Sequence, residues 1–408
     1  MKVAWPTKPL ADVCKIKPPK AEARNSCAES DLVSFVPMED LGIDQKVLLP
    51  TKVKLLADVA GSYTYFADGD VLMAKITPCF ENGKLGIAAN LTNGIGFGSS
   101  EYIVFRPSES LNREWLYYFL SRDAFKVEAA ERMSGAVGHK RVPKEFIETY
   151  PIPVPRLPEQ HRIVGILDEA FDGLARATAN AEQNLRNARA LFESHLDSVF
   201  TQRGEGWVEK RLEEVLAMQP RNGWSPPAAN HADSGTPVLT LSSVTGFVFR
   251  PEKIKFTSAV TDSRARYWVQ NGDLLITRSN TPELVGHVAI ASGIEEPTIY
   301  PDLIMRMNPN PAEAITEFLY YQMRTPALRS EVSDRAQGAN PTMKKISNGA
   351  VRTLPIFVPP IHEQRRVVVQ LDALAAETQR LESIYQQKLA ALSELKKSLL
   401  HEAFTGQL

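Results

Sequence analysis

Directly after an apolar run the chain carries Arg278, Ser279, Asn280 and Thr281, in "TRSNTPELVG". Further on, "QGANPTMKK" gathers Gln337, Asn340, Thr342, Lys344 and Lys345 on a glycine-bearing loop. The first half offers Lys75, Thr77, Asn82 and Lys84 in "KITPCFENGK", then His139, Lys140 and Arg141 in "SGAVGHKRVPK". Arginine reads guanine through two parallel hydrogen bonds, Asn and Gln read adenine, and Lys, Ser and Thr hold phosphates. Clusters of this composition on loops fit the chemistry of reading nucleic acid. They also fit ordinary polar loop content, with each glycine present only to permit a positive φ.

Other chemistries find no support. The glycine and lysine spacing of a phosphate-binding loop is missing, and no G-x-G-x-x-G follows a strand. "NPNP" at Asn308 to Pro311 lacks the aromatic residue of an amino-methyltransferase motif. The seven histidines show no HExxH spacing. Cys14, Cys27 and Cys79 are odd in number and far apart, which argues against a disulfide framework and a four-ligand zinc site and fits a reducing cytoplasm. No apolar run approaches the ~18–20 residues of a membrane span. Catalytic and metal-ligating residues are therefore expected to be absent.

What positions the polar loops is a repeat. "PIPVPRLPEQHRIV" at Pro151–Val164 returns as "PIFVPPIHEQRRVV" at Pro355–Val368, 355 − 151 = 204 residues later. Leu167-Asp168 answers to Leu371-Asp372, and Phe200-Thr201 to Phe404-Thr405. Upstream, the "LYY" at Leu116–Tyr118 matches the "LYY" at Leu319–Tyr321, and Gly69-Asp70 matches Gly272-Asp273. Trp5 matches Trp207. The chain is two copies of one unit, with domains expected at 1–150 and 205–353 and tails at 151–204 and 354–408.

The tails predict long helices. Leu167, Leu174 and Leu185 in the first, and Leu371, Leu381 and Leu392 in the second, fall on a stripe spaced by threes and fours, the pattern of a coiled-coil seam. Glu159-Gln160 and Glu363-Gln364 open them, with prolines just before, and an acid in the first turn suits the helix dipole. About 40 helical residues rise ~60 Å, too far to lie on one domain of this size. An approximate two-fold relating the copies would run the two helices antiparallel, as a spacer rod. Each globular copy reads as α+β: strands in "DVLMAKIT", "LGIAAN" and "YIVFRP", then one long helix in "NREWLYYFLSRDAFKVEAAERM". The second copy repeats them in "DLLITR", "HVAIAS", "DLIMRMN" and "ITEFLYYQMRTPALRSEVSDRA".

"GDLLITRSNTPELVGHVAI", "KITPCFENGKLGIA" and the paired P-x-x-x-x-E-Q tails together resemble the specificity subunits of type I restriction–modification systems, over essentially the full length. The resemblance implies two pseudo-symmetric mixed α/β target-recognition domains, separated by two long antiparallel helices forming a coiled coil. It implies a non-catalytic reader of double-stranded DNA, each domain taking half of a split asymmetric site. Its partners would be adenine-N6 methyltransferase subunits and ATP-dependent restriction subunits. S-adenosylmethionine, ATP and Mg would belong to those partners, with none bound by this chain.

Charge sits awkwardly with that expectation. Residues 1–150 hold 19 basic and 19 acidic side chains, and residues 205–353 hold 16 of each. Isolated DNA-binding domains are usually basic. Either positive charge gathers on one face, as the crowding of Lys2, Lys8, Lys15, Lys17, Lys20 and Arg24 suggests, or partners supply phosphate contacts. Two other classes fit the same residues: a coiled-coil interaction scaffold without DNA binding, and an enzyme whose site is not legible. Co-purification of a methyltransferase-sized partner separates the first from a DNA reader.

Overall fold

The computed structural model describes residues 5–338 and 342–408. The chain divides into two compact units, Met1–Glu182 with Gln387–Leu408, and Gln183–Gln386. Two helices are shared between them, Leu157–Gln202 of 46 residues and Ile361–Thr405 of 45.

In the first unit the main sheet runs Cys14–Ile16, Tyr102–Pro107, Val71–Ala74, Leu85–Ala88, Val47–Leu48. Its strands are antiparallel except for the last pair. A second sheet, Lys52–Leu55, Leu32–Val36, Ile95–Gly98, Thr64–Ala67, stands beside it. In the second unit the order Leu216–Asn222, Ile304–Pro309, Leu274–Thr277, Val288–Ile290 reproduces the first four strands of the main sheet. A three-stranded sheet of His231–Ala232, Ile254–Thr257 and Thr236–Leu239 accompanies it. Val71–Ala74 and Leu274–Thr277 are buried at every position, as expected for central strands covered on both faces.

The single long helix expected in each copy is broken in two. Arg113–Ser121 and Asp123–Glu131 are separated at Arg122, whose backbone is extended. Thr316–Gln322 and Pro326–Arg335 are separated before Pro326, where the missing N–H ends one helix and opens the next. The Thr325 hydroxyl caps the second segment by accepting from the Leu328 N–H.

The repeated proline-framed strand closes each globular body. Pro151–Pro153 pairs antiparallel with Thr7–Pro9, and Pro355–Val358 with Val208–Arg211, so each body's last strand lies against its first. The helix that follows is anchored by the repeated glutamine, fully buried in both units. Gln160 accepts from the Asn112 N–H at 2.8 Å and donates to the carbonyls of Ser110 and Pro155 at 2.9 and 2.8 Å. Gln364 accepts from the Ile315 N–H at 3.0 Å and donates to Glu313 and Pro359 at 2.9 and 2.8 Å. Glu159 and Glu363, beside them, pair with Arg162 and Arg366 one turn on.

About two turns past each glutamine, the Tyr118 hydroxyl donates to Asp168 and the Tyr321 hydroxyl to Asp372. Each tyrosine ends its "LYY". Leu167 and Leu371 are fully buried, while Leu174, Leu185, Leu381 and Leu392 are partly covered. In the first unit the helices run antiparallel: Arg162 donates to the Leu408 carbonyl, and Lys396 lies over the Phe171 ring. In the second unit Arg189 pairs with Glu382 at 2.9 Å.

Aromatic clusters repeat as well. Phe404 packs on Trp115 at 4.3 Å between centroids, with Trp5 on the same indole at 5.6 Å. In the second unit Phe200, Phe318 and Trp207 form a mutual triangle at 5.2–5.8 Å.

Candidate DNA-recognition loops

Two chain segments meet at the same place in both units. A strand of the main sheet ends, and the residues just beyond it are clasped by a loop that returns after the broken helix pair. In the first unit Ile76 and Arg141 are bridged, Ser134 and Arg141 exchange backbone hydrogen bonds, the Thr77 N–H donates to the Lys140 carbonyl, and the Val142 N–H to Lys75. In the second, Ser279 pairs with Lys345 and Asn280 with Lys344. Gln337 and Lys345 exchange backbone bonds, and the Ile346 N–H donates to Arg278. Lys75 thus answers to Arg278, Thr77 to Asn280, Lys140 to Lys344 and Arg141 to Lys345.

A glycine makes each clasp possible. A Cβ on Gly135 would stand 2.9 Å from the His139 carbonyl, and one on Gly338 would stand 2.6 Å from the Met343 carbonyl. Gly135 also has a φ of 125°, which L side chains avoid. The main chain therefore closes on itself at equivalent points, and the side chains around it differ between the units.

The candidate residues divide by what they do locally. His139, Lys140 and Arg141 are exposed on the loop, with Lys75 and Thr77 half-buried beneath it. Arg141 makes a two-pronged contact with Glu101 at 2.8 and 2.9 Å, and Lys75 donates to the Ser100 carbonyl at 2.9 Å, with Glu101 also nearby at 3.9 Å. Hydrogen bonding by Arg141 holds the Glu101 carboxyl below its usual range, so it stays charged. Burial depresses Lys75. The Thr77 hydroxyl donates to Glu81. Asn82 is exposed, and Lys84 turns back to the Met38 carbonyl at 2.7 Å, away from the clasp.

In the second unit Lys345 and Gln337 are exposed and Lys344 half-buried, its ammonium 3.2 Å from the Gly338 carbonyl. Thr342 is exposed, and Asn340 lies outside the described residues. Arg278 is half-buried, with Nη1 reaching the Asp302 carbonyl and Nε buried with no partner among the described residues. The Ser279 hydroxyl is buried and likewise has no partner among them. Asn280 accepts from the Thr281 N–H through its side-chain oxygen, and its amide approaches Thr245. Sequence reasoning missed Glu101, which organises the first clasp. Its only signal is an acid at the start of the "EYIVFRP" strand, a position many strands share.

Among the described residues no group of three or more His, Cys, Asp or Glu side chains is placed to hold a metal ion, and no helix is long and apolar enough to cross a membrane. The three cysteines are free thiols.

Comparison with known proteins places this architecture. The sequence model of the "Type I restriction modification DNA specificity domain" matches twice, at residues 2–185 and 204–390. The chain is 24% identical to the EcoEI specificity subunit of Escherichia coli over 94% of this chain and 79% of that protein. A 161-residue stretch is 39% identical to the EcoAI specificity subunit of Escherichia coli, covering 39% of this chain and 27% of that protein. In fold it matches a chain solved in a study of complex assembly and conformational transition of the type I R-M system, with a TM-score of 0.80 and 22% identity over 99% of this chain and 98% of that one. The HsdS subunit from Thermoanaerobacter tengcongensis matches at a TM-score of 0.62 and 20% identity, over 99% of this chain and 97% of that one. With both halves matched and the duplicated architecture shared, the chain belongs to the type I restriction–modification DNA specificity family.

Proposed function

We propose that the chain is the sequence-reading subunit of a type I restriction–modification complex, with recognition domains at 1–150 and 205–353 that each read one half of a split, asymmetric DNA site. The observation that carries this reading is the pair of equivalent clasps. One backbone device appears in both units, presenting Lys75, Thr77, Lys140 and Arg141 in one and Arg278, Asn280, Lys344 and Lys345 in the other. Equivalent frames with different side chains are what two unlike half-sites require.

The same reading makes the chain non-catalytic. Adenine-N6 methyltransferase subunits holding S-adenosylmethionine, and ATP- and Mg-dependent restriction subunits, are its partners in the cytoplasm. The helical stretches 151–204 and 354–408 set the separation of the half-sites and carry the partner subunits.

The test is a methylation map. Co-expressed with its methyltransferase, the chain directs N6-methyladenine to a two-part motif with a fixed gap. Exchanging residues 205–353 for another recognition domain changes one half of the motif and leaves the other intact. Methylation without a motif, or simultaneous loss of both halves, would sink the assignment.

A further inference from the structure

The first unit contains a cleft with about 900 Å³ of free space, open to solvent, whose wall carries four lysines and no acid. Lys17 and Lys20 enter from the N-terminal segment, Lys75 from the end of the central strand, and Lys144 from the helix after the returning loop. Tyr63 and Tyr65 supply apolar wall and hydroxyls. In a chain with 47 basic and 48 acidic side chains, Lys144 and Lys75 have carboxylates just outside the cleft, Glu148 at 3.0 Å and Glu101 at 3.9 Å, whereas among the described residues Lys17 and Lys20 have none, so the lining keeps a positive excess.

The local chemistry selects for it. Among the described residues Lys17 makes no ion pair, and it holds a left-handed backbone at φ 57°, where glycine or asparagine would be at ease. Lys20 donates to the Gly61 carbonyl at 2.6 Å, and Lys75 to that of Ser100 at 2.9 Å, with Glu101 at 3.9 Å. Their pKa directions agree. Burial lowers both; the Arg24 and Lys17 charges add to the depression of Lys20, and Lys17 and Arg141 add to that of Lys75 against the opposing effect of Glu101. An anion placed among them relieves that repulsion.

The cleft also adjoins the recognition clasp. Val142 lines it, directly after Arg141, and Lys75 belongs to both. The corresponding cleft of the second unit, beside Pro301 and Leu303, has Lys255 and His231 as its ionisable lining residues.

We infer that this cleft holds the sugar-phosphate backbone of the bound duplex, with Lys17, Lys20, Lys75 and Lys144 meeting phosphate oxygens while the adjoining clasp faces the bases. The inference rests on the DNA-reading function and adds to it a division of labour: the first unit supplies a phosphate grip that the second lacks. It also locates the positive face that an overall neutral domain needs.

Each phosphate neutralised on B-DNA contributes about 0.9 to the slope of log affinity against log salt. The assay uses the full chain and a mixed-sequence duplex, titrated between about 50 and 200 mM salt. Lys17→Gln with Lys144→Gln tests the two exposed members of the cleft. The slope is expected to become shallower by nearly 2 (about 0.9 per lysine), with affinity falling at every salt concentration and the melting temperature unchanged. Lys17→Arg with Lys144→Arg retains the wild-type slope, and Lys255→Gln in the second unit's cleft has no effect on it. A folded Lys17→Gln/Lys144→Gln chain with wild-type slope overturns the phosphate site and leaves the DNA-reading function standing. A wild-type chain that binds no duplex overturns both.

Discussion

Arg141 is held by a carboxylate where a phosphate or base edge would compete for it. Glu101 grips its guanidinium from two sides and lies near Lys75, so part of the first clasp's positive charge is cancelled before DNA arrives. On the proposed DNA-reading function, Glu101→Gln removes one negative charge from a surface that would face phosphates and frees Arg141. We expect duplex affinity to rise severalfold, most at low salt, with poorer discrimination between sequences. A fluorescence-anisotropy titration showing equal or weaker binding would contradict this. Gln160 and Gln364 act on stability instead. Each bridges one backbone N–H and two carbonyls while fully buried. Truncation to alanine strands these groups at roughly 1–3 kcal/mol for an unsatisfied one. Gln160→Ala and Gln364→Ala are each expected to cost about 2–4 kcal/mol, as buried polar groups lose their partners. Urea unfolding that shows less than about 0.5 kcal/mol, the level of an ordinary surface change, would remove the clamp role. The sequence displayed both glutamines as a repeat. It could not display their partners, 48 and 49 residues away, because a side-chain-to-backbone clamp leaves no periodicity.

Between elements, packing decides what local pattern leaves open. The main strands were legible because continuous apolar runs bounded by glycines and asparagines mark buried strands. The break in each long helix was half legible: Pro326 announces one, while the break at Arg122 carries no proline or glycine and is set by its extended backbone. The loops' polar composition was legible, but which residues face outward was not, since Ser279 and Lys84 turn inward by tertiary contact. The loop from Thr281 to Gly286 is tied by His287, whose Nδ1 accepts from the Gly246 N–H at 2.9 Å while Nε2 donates to the Glu283 carbonyl at 2.9 Å. Phe247 stacks on its ring. Burial, with the Arg329 charge behind it, holds its pKa down at about 4. A histidine depressed in the folded state stabilises above its unfolded pKa near 6.5. Its contribution is complete there and is lost as pH falls from about 6.5 toward 4. At about 1.4 kcal/mol per unit the loss is on the order of 3–4 kcal/mol. We expect the melting curve of the second unit to decline over that window, and His287→Gln to flatten the decline. Identical pH profiles would rule this out.

At the scale of the whole chain, the duplication makes sequence order partly arbitrary. In the second unit, Phe200 at the end of one helix is followed by Arg203-Gly204-Glu205-Gly206 and then Trp207, with both aromatics packed on Phe318. In the first unit, Phe404 and Trp5 pack on Trp115 in the same manner without a covalent link between them. A permuted chain that starts at Trp207 and joins Leu408 to residue 5 by a short flexible linker restores the missing connection. It is expected to fold, to unfold at a similar denaturant concentration, and to direct methylation to the same motif. An insoluble product or an altered motif would show that chain order matters beyond these contacts. This duplication was the most legible feature in the sequence, because a shared interval of 202–204 residues survives where individual side chains have diverged.

The two clasps differ by one residue in span. Ser134 to Arg141 is closed by the same backbone exchange as Gln337 to Lys345, around glycines in equivalent positions. A fastening that accepts two lengths separates the heritable variation of the loop from the heritable stability of the sheet. On the proposed DNA-reading function, new binding preferences would arise by insertion or deletion at that point, a larger step than single substitutions offer, while the closure of the sheet is kept. Adding one residue between Gly135 and His139 should leave the melting temperature within a few degrees of wild type while shifting the methylated motif, and a collapse in stability would show that the fastening has no such latitude.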